Sequence, residues 1–283
     1  MTPAAGSPPA LPVSAPPPRP PLHSPSGSPA ALGAVGRSFL EIAEVVGSMG
    51  LLAGRVARRV FTLRLDGAEV VKNLDRMGVR SIPIVIVTAL FTGVIMVLQA
   101  APLVQRLSAH SLLGWGAGFG TLREIAPLLT ALMINGRVGA NNTAELGTMV
   151  VTEQIDALRV LAIDPIAFLI APRVVAMVTT LFLATIFADT LALFGAAMAG
   201  QALLGVPPGV FYHGLTGGLL GIGDVASGLV KSVVFGMVMA LASCQYGLGV
   251  KGGAPGVGRA VNATVVASAA GIFVLDFFVS FTL

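Results

Sequence analysis

Long apolar stretches follow one another from residue 82 to the C-terminus, separated by short segments rich in charged residues, Gly and Pro. A helix needs ~20 apolar residues to cross a hydrocarbon core of ~30 Å. Four stretches meet this requirement, at residues 82–104, 174–203, 229–250 and 261–283. A fifth, residues 121–144, is helical in pattern but contains Arg123, Glu124, Asn135, Arg137, Asn141 and Asn142. The pattern predicts an all-α membrane protein, with about five transmembrane helices forming a domain over residues 81–283.

Two segments of different character precede the first apolar stretch. Residues 35–63 carry apolar side chains at helical spacing, with charged residues on the opposite side. This pattern favours an amphipathic helix at the membrane interface over a helix packed on the soluble side, within a segment 35–80 that also holds a connector. Residues 1–33 contain 11 of the 19 prolines. We therefore predict a disordered Pro-rich tail over residues 1–34, without the features of a secretory signal.

The composition agrees with a lipid environment. Hydrophobic residues make up 55% of the chain and charged residues 11%, with a mean hydropathy of +0.88. A soluble domain has about 25% charged residues, so a water-soluble globular protein is excluded. The single cysteine, Cys244, excludes an intrachain disulfide framework. Basic residues are not interleaved with aromatic ones, which argues against nucleic-acid binding.

The placement of Lys and Arg predicts the orientation. If the N-terminus is cytoplasmic, five spans leave residues 55–80, 145–173 and 251–259 inside, and these segments hold 11 Lys and Arg residues. The opposite side then holds Arg106, Arg123 and Lys231. The positive-inside rule therefore predicts a cytoplasmic N-terminus and an external C-terminus.

The polar fifth stretch carries two parallel stripes at four-residue spacing. Gly136, Ala140 and Ala144 form a stripe of small residues, which predicts close contact with another helix. Arg137, Asn141 and Glu145 form a polar stripe beside it. An intramembrane Arg costs ~2.5–3.5 kcal/mol, so these groups should face protein or a wet cavity. The alternative is that they only join helices through buried pairs.

The connecting segments are a Gly-rich stretch (Gly114–Gly120), a polar amphipathic segment (145–165), a Pro/Gly-rich loop (205–224) and a loop from Lys251 to Arg259. In the second of these, Thr152 is placed to cap a short helix with Glu153 and Asp156 near its start, and Pro165 begins a new element. Such a helix suits docking into a partner's groove, although the spacing alone favours an ordinary amphipathic connector.

The run from Thr121 to Ala176 resembles the signature of MlaE-type (MlaE/YrbE) permeases, the membrane subunits of MCE-associated ABC transporters. Further matches occur in the expected order from about residue 70 to the C-terminus. They are Gly78–Ser81, Phe91–Gly93, Leu98–Gln99, Lys231–Gly236, Lys251–Ala260 and Leu275–Phe277. The chain departs from the family in its long Pro-rich tail and in Asn141–Asn142, where small residues are more usual.

The resemblance implies a permease that moves glycerophospholipids between the inner membrane of a bacterium and a periplasmic MCE-domain (MlaD-like) carrier, in support of outer-membrane lipid asymmetry. The implied partners are a second copy of the chain and a cytoplasmic ATPase (MlaF-like) that binds ATP and Mg²⁺, so this chain needs no cofactor of its own. A STAS-domain (MlaB-like) protein is a further partner that the resemblance allows.

The resemblance also implies roles for particular residues. Those expected at the lipid cavity are Leu98, Gln99, Arg123, Glu124, Thr130, Arg137 and Asn141. Those expected in a cytoplasmic coupling helix that meets the ATPase are Thr152, Glu153, Gln154, Asp156, Leu158 and Arg159. Residues 35–63 correspond to the family's interfacial helix.

Other classes of function fit less well. Gly221-Ile222-Gly223-Asp224 matches the G-x-G-D motif of intramembrane aspartyl proteases, with Asp189 as the second carboxylate. The motif is short and lies in a Gly-rich loop. His23, His110 and His213 are scattered without H-E-x-x-H, and no G-x-x-x-x-G-K-[ST] occurs, so neither a zinc hydrolase nor an ATPase is predicted. An ion-coupled carrier remains an alternative, although no inverted repeat is evident.

Overall fold

The computed structural model describes residues 29–61, 67–107, 112–218 and 220–282, and throughout these ranges the regular structure is helical. Most of the predicted Pro-rich tail lies outside the described residues. The helices are α1 (Pro29–Phe61), α2 (Gly67–Met77), α3 (Ile82–Leu107), α4 (Leu112–Gly120), α5 (Ala126–Ile134), α6 (Ala140–Val151), α7 (Gln154–Val160), α8 (Ala171–Leu204), α9 (Pro208–Thr216), α10 (Ile222–Leu248) and α11 (Gly253–Thr282).

Five helical segments of the described chain are long and apolar enough to cross a membrane. They are Gly67–Arg106, Leu112–Val151, Ile166–Leu204, Ile222–Leu248 and Gly253–Thr282. The prediction of an all-α membrane protein is confirmed. Each helical segment begins before the apolar stretch from which it was predicted, because a helix can continue past the hydrocarbon core into polar surroundings.

Three segments predicted as connectors are wholly or partly helical. Gly114–Gly120 lies in α4 and belongs to the second span, where a Cβ at Gly114 would lie 1.9 Å from the Phe211 carbonyl oxygen. Glycine is used there for close contact with α9 and not to form a loop. The predicted loop 205–224 contains α9, which begins after Pro207. The predicted loop 251–259 is also mostly helical, because α11 starts at Gly253.

Short π-helical turns interrupt the second span at two places, Thr121–Ile125 and Asn135–Gly139. The first carries Arg123 and Glu124, and the second carries Arg137. Such turns insert one extra residue into a helix and change the direction in which side chains point, and they are frequent at functional sites. Asn135 anchors the second turn by donating its amide to the Val265 carbonyl of α11 at 3.0 Å.

Close backbone contact joins the first and third spans. A Cβ at Gly93 would lie 1.9 Å from the Ala192 carbonyl oxygen, and one at Gly195 would lie 2.5 Å from the Leu90 carbonyl oxygen. α3 and α8 therefore touch through two glycines, as small residues allow in membrane helices. In contrast, a Cβ at Gly136 would have open space around it among the described residues, so this member of the predicted small-residue stripe makes no close helix contact there. A stripe of small residues shows which surface permits contact but not where a neighbour lies.

Residues 45–283 form one compact unit, which includes the C-terminal part of α1. Leu52 and Val56 of that part are buried in the main apolar cluster, together with residues of α8 and α10. The same part is joined to the segment after α7 by an ion pair between Arg59 and Asp164 at 2.7 Å. α1 begins at Pro29, six residues before the predicted start, and proline is well suited to a first helical turn.

The short connections place the spans in alternating directions. The links that contain α7 and residues 249–252 lie at one end of the bundle, which we call the α7 end. The links that contain residues 108–111 and α9 lie at the other, the α9 end. Each end holds a cluster of charged side chains from several helices.

Candidate functional site

The cluster at the α9 end begins with Arg123 and Glu124 on the first π-helical turn. Arg123 donates to the Asp224 carboxylate at 2.9 Å, and its guanidinium lies 5.5 Å from the centre of the Phe119 ring. Asp224 also accepts the backbone N–H of Gly221 at 2.9 Å, which caps the start of α10. The Arg123 side chain is therefore held between a carboxylate and an aromatic face.

Glu124 belongs to a second pairing in the same cluster. The ammonium group of Lys231 is 0% exposed and donates to Glu124, and it also lies 3.1 Å from the Asp276 carboxylate. Ser280 donates to Glu124 at 3.3 Å. One buried cation thus joins the second, fourth and fifth spans through two carboxylates. A buried charge is tolerated only when it is paired in this way.

The remaining residues predicted near this cavity are placed differently from one another. Leu98 is 50% exposed on α3, and Gln99 beside it is also exposed. Thr130 is only 5% exposed inside the protomer. The structure therefore brings Leu98 and Gln99 to an open face of the first span, whereas Thr130 lies away from it.

The cluster at the α7 end is built around the predicted polar stripe. Arg137, Asn141 and Glu145 line a single cavity of about 290 Å³, which confirms that they share a face. Arg76 and Arg80, from the start of the first span, line the same cavity. From the sequence, these two residues were predicted to lie on the positive side of the membrane, and Arg80 within the Gly78–Ser81 match. Nothing in the local pattern shows which helix they approach.

A buried network supports this cavity from behind. Arg173 of α8 donates to the Glu145 carboxylate at 3.1 Å and to the Asn142 side-chain oxygen at 2.9 Å. The Asn142 amide in turn donates to Ser243 of α10 at 2.9 Å. Both polar groups of the Asn142 side chain, which departs from the family pattern, are thus hydrogen-bonded to other helices. Arg173 follows Pro172 at the edge of an apolar stretch. A charged residue at that position was the signal in the sequence that could have predicted its part in this network.

α7 protrudes from its end of the bundle as an exposed short helix. Ile155 is buried and attaches it to the main apolar cluster, whereas Val160 and Leu161 are 86% and 68% exposed. Glu153 and Ala162, which flank the helix, both have left-handed backbone conformations, with φ of 59° and 57°. These two residues bend the chain sharply away from α6 and back toward α8.

The expected capping role of Thr152 is wrong. Its hydroxyl donates to the Thr148 carbonyl at 2.8 Å, so it terminates α6 instead of starting α7. Glu153 occupies the capping position without a side-chain hydrogen bond to the helix. Asp156 pairs with Arg159 at 2.8 Å, and both side chains are exposed, as are Glu153 and Gln154. Leu158 is half-buried.

The aspartyl-protease alternative requires two carboxylates that share a proton. Asp224 is instead bound by Arg123 and by the Gly221 backbone. Asp189 is only 6% exposed, and its Oδ1 has no hydrogen-bond partner within the described part of the chain. The two residues therefore form no dyad, and the G-x-G-D match is a helix cap.

The fold and these clusters together define a multi-pass α-helical membrane protein whose second span carries ionisable groups along its length. Such groups mark the pathways of transported molecules. The chain belongs to the MlaE permease family, since residues 70–282 match the family described as Permease MlaE.

The relatives agree with this assignment. A probable ABC transporter permease protein of Synechocystis sp. is 35% identical over 81% of this chain and 87% of its own length. One from Rickettsia felis is 34% identical over 87% of this chain and 95% of its own. The chloroplastic protein TRIGALACTOSYLDIACYLGLYCEROL 1 of Arabidopsis thaliana is 34% identical over 82% of this chain, which spans 66% of its length.

Family and relatives together identify the chain as a permease of the ABC transporter class, that is, a transporter membrane subunit. A permease of this class works with an ATPase.

Proposed function

We propose that this chain is the membrane subunit of an ATP-driven transporter that moves glycerophospholipids between the inner membrane of a bacterium and a periplasmic MCE-domain carrier. Two copies form the permease, a cytoplasmic ATPase binds ATP and Mg²⁺, and a STAS-domain protein is a further candidate partner. The printed name of the Arabidopsis relative refers to a glycerolipid, which favours a lipid as the transported molecule.

The observation that carries the proposal is the construction of the second span. One helical run from Leu112 to Val151 holds ionisable groups at both π-helical turns and leads directly into the exposed α7. A movement of α7 can therefore be transmitted along the same run to the charged groups. An ordinary structural helix needs neither ionisable groups along its middle nor a protruding short helix at its end.

The open faces of the bundle favour a second copy. The fifth span is the least covered of the five, and Phe273 and Phe277 are exposed on it. Leu98 on the first span is exposed as well. Two copies that meet along these apolar faces would enclose a chamber whose walls suit acyl chains, with Arg123 near its α9 end for the phosphate of a headgroup.

α7 is the proposed contact with the ATPase. Its exposed Val160 and Leu161 offer apolar anchors, and the acidic Glu153 and Asp156 surround them with polar contacts. ATP-driven closure of the partner would move α7 and change the relative affinity of the chamber for lipid. The positive-inside rule supports an orientation with α7 and the N-terminus in the cytoplasm and the C-terminus in the periplasm.

The test separates a headgroup contact of Arg123 from its pairing with Asp224. The complete transporter is reconstituted in proteoliposomes, and vanadate-sensitive transfer of a fluorescent phospholipid is measured. We expect Arg123→Glu to reduce transfer about tenfold or more, because it repels a phosphate and Asp224 alike. Assembly with the ATPase should be unchanged.

The control is the exchanged pair Arg123→Glu with Asp224→Arg, which restores the ion pair but moves the cation to another helix. If transfer returns fully to the wild-type rate, Arg123 serves only the pairing and is not a headgroup contact. Absence of vanadate-sensitive transfer by the wild-type complex contradicts the proposed function itself.

A further inference from the structure

The cavity at the α7 end contains more basic groups than acidic ones. Its lining includes three guanidinium groups, those of Arg76, Arg80 and Arg137, and a single carboxylate, that of Glu145. Asn141 adds an amide to the same lining. All of these residues lie on the second span or at the start of the first.

The hydrogen bonds show which of these groups are already used. The two carboxylate oxygens of Glu145 are taken separately, one by Arg76 at 2.6 Å and the other by Arg173 at 3.1 Å. Arg137 donates only to the neutral hydroxyl of Ser81, at 2.7 Å. Arg80 makes no hydrogen bond or ion pair with any residue that the structure describes. Two guanidinium groups therefore face the cavity without a carboxylate.

The guanidinium groups of Arg80 and Arg137 indicate the kind of ligand that this cavity binds. The guanidinium of Arg is planar and always charged, and its fork of N–H donors matches two oxygens of a phosphate. The cavity volume of about 290 Å³ is near the lower limit of the ~300–1,000 Å³ typical of small-molecule sites. It suits a headgroup rather than a whole lipid.

We infer that this cavity binds a phosphate oxyanion, with Arg80 and Arg137 as paired donors and the Asn141 amide as a third. Arg76 and Glu145 form its wall, and Arg173 fixes Glu145 from behind. The occupant is the phosphate of an anionic lipid or a free phosphate. The site is then a second headgroup station, opposite Arg123 along the spans, and this role rests on the proposed function although the binding does not.

The experiment uses the full chain with its ATPase in maltoside micelles, which contain no phosphate, in a phosphate-free buffer. The probe is a phosphatidylglycerol with a photoreactive diazirine on its headgroup, and peptide mass spectrometry counts the adducts on residues 76–81 and 137–145. We expect adducts in the wild type and a loss of about tenfold for each of Arg80→Gln and Arg137→Gln, because each removes a charged donor. The double variant should lose more.

The matched control is Arg106→Gln, which removes an exposed arginine from the opposite end of the same span. Its adducts at the α7 end should equal those of the wild type. In a second arm, inorganic phosphate is added without lipid and the thermal unfolding midpoint is measured. A rise that disappears in the double variant identifies free phosphate as an occupant.

Labelling that depends on Arg80 and Arg137 identifies the lipid as the source of the phosphate. Equal labelling of wild type and double variant, together with no effect of inorganic phosphate, overturns the site. The outcomes stay separate from those of the transport assay. Labelling without vanadate-sensitive transfer supports the site and refutes the transport proposal. Transfer with neither Arg-dependent labelling nor a phosphate effect supports the transport proposal and refutes the site.

Discussion

The two ends of the second span carry charged clusters of opposite balance. At the α9 end two basic residues, Arg123 and Lys231, face three acidic ones, Glu124, Asp224 and Asp276, and each basic group has an acidic partner. At the α7 end the cavity and the network behind it contain four arginines but one carboxylate, that of Glu145, which pairs with Arg76 and Arg173. In the cluster at the α9 end every basic group has an acidic partner, whereas in the cluster at the α7 end Arg80 and Arg137 have none in the ranges that the structure describes.

This difference in pairing indicates different roles for the charged groups at the two ends. Paired charges in a low-dielectric interior fix helices in one arrangement, and removal of one partner leaves another charge exposed to a full desolvation cost. Unpaired guanidiniums beside an open cavity contribute little to the fold, because water still reaches them. Mutation of the buried Lys231 at the α9 end should therefore change stability, whereas mutation of Arg80 or Arg137 at the α7 end should change binding.

The largest effect is expected for Lys231→Met. This change leaves Glu124 and Asp276 without their shared cation and should destabilise the protein by about 3–5 kcal/mol. The measurement is the unfolding midpoint of the purified chain in detergent. The control is the triple variant that adds Glu124→Gln and Asp276→Asn, which should recover much of the loss because no unpaired charge remains. If Lys231→Met alone is as stable as the wild type, the pairing of Lys231 with Glu124 and Asp276 does not stabilise the fold.

A smaller effect, on association alone, is expected for Glu153→Lys combined with Asp156→Lys. Both side chains are exposed, and the Asp156–Arg159 pair between exposed groups is worth less than ~1 kcal/mol to the fold. We expect affinity for the ATPase to fall about tenfold, or ~1.4 kcal/mol, because the acidic contacts around Val160 and Leu161 are reversed. Pull-down or calorimetry measures it.

The control for that experiment is Asp75→Lys, which reverses an exposed acidic residue at the same end but outside α7. It should leave the affinity unchanged. Equal affinity of the α7 variant and the wild type would remove α7 from the interface.

The smallest effect on stability is expected for Arg80→Gln, the counterpart of Lys231→Met at the other end. The side chain is exposed and makes no ion pair within the described chain, so the unfolding free energy should change by no more than ~0.5 kcal/mol. The same unfolding measurement in phosphate-free buffer checks it. A loss above ~2 kcal/mol would mean that Arg80 belongs to the fold, and the contrast between the two ends would fail.

Much of the fold could be predicted because hydrophobic length is a local property. Each apolar stretch is long enough to span, and each proved to lie in a spanning helix. The polar stripe of Arg137, Asn141 and Glu145 followed from helical spacing in the same way. The predictions were wrong where one residue type serves two structural roles. The glycines of Gly114–Gly120 serve helix contact instead of a loop, and Thr152 ends one helix instead of starting the next.

The partners of the charged residues could not be predicted, because they lie on different spans and are far apart in the sequence. Arg123 meets Asp224, and Lys231 meets Glu124, only after the second and fourth spans have packed together. The same holds for Arg76 and Glu145, which come from different spans.

The sequence by itself determined a helical membrane protein of the MlaE permease family, because hydropathy and a long motif are written along the chain. Only the tertiary structure decided which charges neutralise one another and which remain available to a ligand. The physical reason is that a charge is costly or useful according to its neighbours in space, and packing alone chooses those neighbours.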